Sequence, residues 1–160
     1  MIDKVYNYSN LYTAWRRVRA KKGAHGLDRV TIRAFEADWE KHIAEIQRKL
    51  MEKRYEPLPV RRVYIPKASD PKQLRPLGIP VVADRIVGQA ILQILDPLFD
   101  SQMSERSFGF RKGRKAHQAI ATVLRDADEG FRHVVDADIK SFLDPSSYYT
   151  LFHERSSKRP

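Results

Sequence analysis

The chain of 160 residues contains no cysteine. Disulfides, zinc–thiolate centres and thiol nucleophiles are therefore excluded. Such a composition suits a reducing cytoplasm, and a cytoplasmic location is the expectation. Long apolar runs are also missing. No window reaches the roughly 20 apolar residues that a membrane helix needs. The opening "MIDKVYNYSN" has no apolar core of a secretory leader, so no membrane partner is expected. There are no internal repeats or low-complexity tracts. No serine–histidine or P-loop constellation is present, which argues against an unrelated class of enzyme. Acidic residues fall short of basic ones, 20 against 30, leaving a net charge of +10. That balance points to a polyanion, with nucleic acid ahead of acidic membrane, or to a merely soluble basic protein.

What is present begins with helices. Ser9 can cap a first helix running to about Lys22, with Leu11, Trp15 and Val18 at helical spacing. "KGAHGLDRVT" reads as a glycine-punctuated loop. Thr31 then starts a long helix whose Phe35, Trp39, Ile43, Ile46 and Leu50 form one core-facing stripe. "VVADRIVGQAILQILDPLF" is an amphipathic helix with a polar stripe of Arg85, Gln89, Gln93 and Asp96. Pro97 is expected to perturb or end it near Asp96. A further helix spans about Lys115–Glu129, with Ala116, Ile120, Val123 and Ala127 inward. "FRHVVDADIKSF" alternates like a strand. Pro145 can open a short helix capped by Asp144, and the polar end is expected to fray. The fold class is α+β, with the single terminal strand suggesting a fold that is incomplete within this chain.

Between the second and third of these helices lies "VYIPKASDPKQLRPLGIP", residues 63–80, which reads as a hairpin stiffened by Pro66, Pro71, Pro76 and Pro80. Alternation places Val63, Ile65 and Lys67 on one face of the first strand, and Arg75, Leu77 and Ile79 on one face of the second. A simple register pairs Val63 with Ile79, Ile65 with Leu77, and Lys67 with Arg75. Like charges directly opposed destabilise a ladder. A phosphate between them reverses the sign. In the alternative, both cations simply project into water at a loop tip.

"SFGFRKGRKAH" places Arg111, Lys112, Arg114 and Lys115 beside Phe108 and Phe110. Cations neutralise backbone phosphates and aromatic rings stack on bases. The phenylalanines can equally anchor the loop into the core. Further on, Val134, Asp136 and Asp138 share one strand face, and carboxylates at a strand end suit a hard cation such as Mg2+.

Taken together, "GAHGLDRVT", "RRVYIPK…RPLGIPVVADRIVGQAI", "LDPLF", "SFGFRKGRKAHQAI" and "VVDADIKSF" resemble, in order, the amino-terminal blocks of group II intron-like reverse transcriptases, the bacterial maturase family. The resemblance covers roughly residues 23–144. It implies a right-hand polymerase fold, with fingers over 1–130, the beginning of the palm over 131–144, and a divergent or added tail over 145–160. It implies that Lys67 and Arg75 bind the triphosphate of a deoxynucleotide, and that Asp138 is a catalytic aspartate holding one of two Mg2+ ions. Arg85, Gln89, Arg111, Lys112, Arg114 and Lys115 lie in blocks that line the template path, and the 23–30 loop lies near the template–primer duplex. The implied partners are an RNA template, a DNA primer and a deoxynucleoside triphosphate, with group II intron RNA a further candidate.

The chain also departs from that family. Phe142 and Leu143 stand where the family has two aromatics, and "PSSYYTLF" replaces an Asn-Ile-Asp-His type run. No Tyr-x-Asp-Asp block and no adjacent pair of aspartates occurs. The expectation is a template- and nucleotide-binding part of an RNA-directed DNA polymerase, inactive alone because one carboxylate strand cannot hold two ions. The alternative is a non-catalytic RNA-binding or self-associating module, in which an unfinished sheet edge pairs two copies as a homodimer.

Overall fold

A computed structural model describes residues 1–68 and 70–137. It divides into two compact units, Met1–Glu105 and a second from Arg106 onward. The first unit holds helices α1 (Ile2–Val5), α2 (Tyr8–Ala20), α3 (Ile32–Ala37) and α4 (Trp39–Met51), then strands β1 (Arg61–Pro66) and β2 (Leu74–Ile79), and helix α5 (Val82–Asp100). The second unit holds α6 (Ala116–Asp128). Helices with one small antiparallel sheet make the described chain α+β, as expected.

The core of the first unit follows the helical periodicity. Leu11, Ala14, Trp15 and Val18 of α2 meet Val82, Ile86, Val87 and Ala90 of α5, with Phe35 of α3 and Ile43 and Ile46 of α4 closing the cluster. Each fully buried large side chain contributes about 1.5–3 kcal/mol. Polar side chains stitch the same helices together. Asn10 donates Nδ2 to the carbonyls of Val5 and Ala90, both at 3.1 Å, and Gln93 Nε2 donates to Asn10 Oδ1 at 2.7 Å. Gln93 therefore joins helices rather than continuing a solvated stripe.

Local structure differs from the sequence expectation in several places. The cap of α2 is Asn7, whose Oδ1 accepts from the Ser9 amide at 3.0 Å; Ser9 lies inside the helix. The long helix expected from Thr31 is two helices. Thr31 does cap α3, accepting from the Ala34 amide at 3.1 Å, but Asp38 leaves helical geometry at φ −127° and ψ 33°. The break lets Phe35 pack against Trp15 at 4.9 Å between centroids while Ile43 and Ile46 turn to the shared core. A straight helix drifts away from a single stripe and cannot serve both. Helix α5 runs past Pro97 to Asp100. The amide lost at Pro97 falls in an exposed final turn, where water can satisfy the freed carbonyl.

The second unit departs further. Helix α6 forms near its expected bounds, yet Ile120, Val123 and Leu124 are 58 %, 62 % and 60 % exposed, and Ala116 is also exposed. Of the inward face expected from periodicity, Ala127 is half-buried while Ala116, Ile120 and Val123 are exposed. Residues 131–137 form no strand, and Val134 and Val135 are almost fully exposed. Alternation alone does not make a strand, because its backbone groups need a neighbouring strand to pair with. Asp138, the Asp144–Pro145 helix start and the 145–160 tail lie outside the described residues.

Candidate nucleotide and nucleic-acid site

The hairpin is built around its turn. Asp70 Oδ1 accepts from the Lys72 amide at 3.0 Å, and the Asp70 carbonyl accepts from the Gln73 amide at 3.0 Å. This Asx-type turn shortens the tip. The Lys67 amide then donates to the Gln73 carbonyl at 2.8 Å. The register that follows pairs Arg61 with Ile79, Val63 with Leu77, and Ile65 with Arg75. It corrects the expected pairing of Lys67 with Arg75 by two residues. An even shift preserves the faces, so Lys67 and Arg75 still share one side of the ribbon, as diagonal neighbours rather than opposed ones. Lys67 Nζ donates to Gln73 Oε1 at 2.9 Å, and both cations are exposed. The diagonal offset removes the direct repulsion that the simple register carried. It keeps two cationic groups of different geometry, one point charge and one planar fork, on a common face.

Behind the hairpin, several side chains fix its base. The Tyr55 hydroxyl donates to Asp84 Oδ1 at 2.6 Å, and the Leu58 amide donates to Asp84 Oδ2 at 3.1 Å. Burial, then the neighbouring Asp84, raises the Tyr55 hydroxyl pKa well above the ordinary tyrosine range. Arg85 donates Nε to the Pro80 carbonyl at 2.9 Å and Nη2 to the Ala24 carbonyl. Arg61 donates Nε to the His25 carbonyl at 3.1 Å. Gln89 is half-buried and lines a groove of about 360 Å3 with Lys21, Gly23, Arg85, Gly88 and Leu92. Sequence reasoning missed Arg61, Tyr55 and Asp84. Their partners lie 36, 29 and 26 positions away, where no local pattern reaches.

In the second unit the two phenylalanines divide the two roles open to them. Phe108 is half-buried, with the Arg114 guanidinium 5.7 Å from its ring centre. Phe110 is fully exposed on a left-handed backbone, φ 56°. Arg111 Nη1 donates to the Ser107 carbonyl at 3.0 Å. The Lys115 amide donates to Gln118 Oε1 at 2.8 Å, which starts α6, and the Lys112 side chain is exposed. Arg106 pairs with Asp126 and ties the loop to that helix. Among the described residues no group of three His, Cys, Asp or Glu side chains could hold a metal ion. Asp136 lies exposed in the irregular 131–137 segment. The described residues alone do not build a Mg2+ seat.

Comparison with known proteins adds the missing context. Residues 65–154, more than half of the chain, match the family model described as reverse transcriptase (RNA-dependent DNA polymerase). The chain belongs to the reverse transcriptase family. Its relatives place it with the group II intron-encoded members. It is similar to protein YkfC of Escherichia coli, 40 % identical over 140 residues, covering 84 % of this chain and 36 % of that protein. It is similar to the group II intron-encoded protein LtrA of Lactococcus lactis, 35 % identical over 142 residues, 88 % of this chain and 23 % of LtrA. It also resembles nuclear intron maturase 1, mitochondrial, of Arabidopsis thaliana, 37 % identical over 65 residues, 41 % of this chain and 9 % of that protein. The chain thus spans about a third or less of the length of these relatives. No helix among its described residues is long and apolar enough to cross a membrane.

Proposed function

We propose that this chain is the fingers and initial palm of an RNA-directed DNA polymerase, and that it grips the nucleotide and the template. The observation that carries the reading is Lys67 and Arg75 on one face of a proline-stiffened hairpin, in a chain of the reverse transcriptase family. A triphosphate accepts both the Lys point charge and the Arg fork. Gln89, Lys112, Arg114 and Lys115 supply the template side, with Phe110 free to stack on a base. Arg111 belongs to the same loop. In the complete enzyme a primer 3′-hydroxyl oxygen bonds to the α-phosphorus, the bond to the β-phosphate oxygen breaks, and pyrophosphate leaves with its electron pair. The hydroxyl proton passes to solvent. Lys67 and Arg75 orient the departing phosphates. Asp138, with carboxylates outside this chain, is the proposed Mg2+ ligand.

The test is Lys67→Ala with Arg75→Ala in the full-length protein, read as nucleotide KM and primer extension on an RNA template. Removing two charge-assisted contacts should weaken nucleotide binding by about 3–6 kcal/mol. Unchanged nucleotide KM defeats the proposal. The 160-residue chain alone should extend no primer, and extension by it would overturn the incomplete-site reading. One observation favours a second reading, a self-associating RNA-binding module: the uncovered Ile120, Val123 and Leu124 face of α6. Sedimentation of the chain as a dimer, abolished by Val123→Glu, supports that alternative.

A further inference from the structure

The two strands of the hairpin pair only with each other, and their free edges differ. No third strand lies beside them among the described residues. The Lys67 amide donates to the Gln73 carbonyl, so Lys67 turns its N–H inward to the opposite strand. Antiparallel pairing alternates inward and outward backbone groups along each strand. By the observed register, Arg61, Val63 and Ile65 turn theirs inward, while Arg62, Tyr64 and Pro66 turn theirs outward. On β2 the outward residues are Leu74, Pro76 and Gly78. Both prolines thus stand where the ladder needs no N–H. Pro76 takes the donor from the middle of the β2 edge. The β1 edge keeps two successive outward residues, Arg62 and Tyr64, each with N–H and C=O, and neither makes a backbone hydrogen bond outside the ladder. Both side chains are exposed, Tyr64 at 58 %. Residues 57–68 hold three cations, Arg61, Arg62 and Lys67, and no carboxylate. Arg61 holds the His25 carbonyl and Lys67 holds Gln73, so Arg62 is the cation that stands at the edge.

We propose that the β1 edge takes up an extended acidic peptide, which pairs with Arg62 and Tyr64 as a third, antiparallel strand. Main-chain hydrogen bonds hold such a strand, and alternate side chains select it. On one face of the added strand, an acidic residue meets Arg62. On the other, apolar residues meet Val63 and Ile65, which are half-buried. A cation on an open edge deters another basic edge and admits an acidic one. A second copy therefore fits less well, since β1 against β1 brings the same cations together in a chain of net charge +10. Strand alternation points Arg62 and Tyr64 to the side of the ribbon opposite Lys67 and Arg75, so this edge is separate from the phosphate-binding face and does not depend on it.

The experiment titrates the chain with a short, end-blocked peptide of alternating glutamate and valine, and reads amide exchange by NMR. Saturating peptide should slow exchange at Arg62 and Tyr64 by about tenfold or more, the worth of a newly made hydrogen bond. Glutamates that face Arg62 also turn their own N–H groups to the edge, so N-methylating the glutamates should abolish binding, and N-methylating the valines should not. Tyr64→Pro deletes an outward N–H that β2 does not use, so Lys67 should stay protected while peptide affinity falls about tenfold. Tyr64→Val keeps the edge and should bind within about twofold of the wild type, since both residues favour strands. Arg62→Glu should weaken this peptide about fivefold or more and favour a lysine–valine one instead. Unchanged exchange at Arg62 and Tyr64, equal binding of the two methylated peptides, or full affinity in Tyr64→Pro overturns the proposal. So does a wild-type chain that prefers the lysine–valine peptide. Protection of the same amides that grows with protein concentration in the absence of peptide gives the edge to a second copy, and overturns the proposal as well.

Discussion

Tyr55 and Asp84 are joined by a 2.6 Å hydrogen bond across 29 positions of sequence, and the second oxygen of the same carboxylate holds the Leu58 amide. One carboxylate at the start of α5 therefore fixes the course of the chain as it approaches β1. The Tyr55 hydroxyl has its pKa raised in the folded protein, first by burial and then by Asp84. Its contribution to stability is present below the unfolded tyrosine value, about 10, and falls as pH rises above it, because the unfolded chain then ionises and the folded chain does not. Urea unfolding from pH 8 to 11 should show a declining alkaline limb, and Tyr55→Phe should flatten it. Asp84→Asn keeps the shape but leaves one acceptor oxygen where the carboxylate has two, so the pair of bonds cannot both persist as they are, and it should cost about 1–3 kcal/mol at neutral pH.

Two glycines should respond in opposite directions. Gly26→Ala puts a methyl against the Val81 backbone, which has no flexible end to move aside. It should destabilise the chain by about 1–3 kcal/mol. Gly88 lies inside α5 with nothing within 4 Å of a built Cβ. Gly88→Ala should stabilise by about 0.5–1 kcal/mol. Thermal unfolding of the two variants beside the wild type checks both signs.

Asp70 sets the hairpin register through the tip turn. Asp70→Ala should loosen that turn at a cost of about 1 kcal/mol. Amide exchange at Lys67 and Gln73 should quicken, while the protection of core helix α2 stays unchanged.

Phe110 and Phe108 should separate by assay. Phe110 is bare, so Phe110→Ala should leave stability alone and weaken binding of a single-stranded RNA by about 1–3 kcal/mol if a base stacks on it. Phe108 is partly covered and carries Arg114 over its ring. Phe108→Ala should lower the melting temperature instead. Equal effects of the two on RNA affinity would contradict this division.

The helical stripes of α2 and α5 are local patterns, legible in the sequence, and burial follows them because 3.6-residue periodicity leaves one face to cover. The shared face of Lys67 and Arg75 is legible for a similar reason. Strand alternation has period two, so an even error in register leaves parity intact. The ordered motif blocks carry the family, which the comparison with known proteins bears out. What local pattern does not supply is partnership across the chain. Asp70 decides the register through a turn, and Asp38 splits one expected helix to reach two parts of the core. Periodicity marks Ile120 and Val123 as apolar but cannot provide anything to cover them, nor a neighbouring strand for 131–137. Sequence by itself determined which residues are chemically able to bind phosphate. Tertiary structure decided which of those cations stand free and which are bound to carbonyls as far away as 61 positions, because a hydrogen bond depends on where the backbone brings two groups and not on their spacing along it.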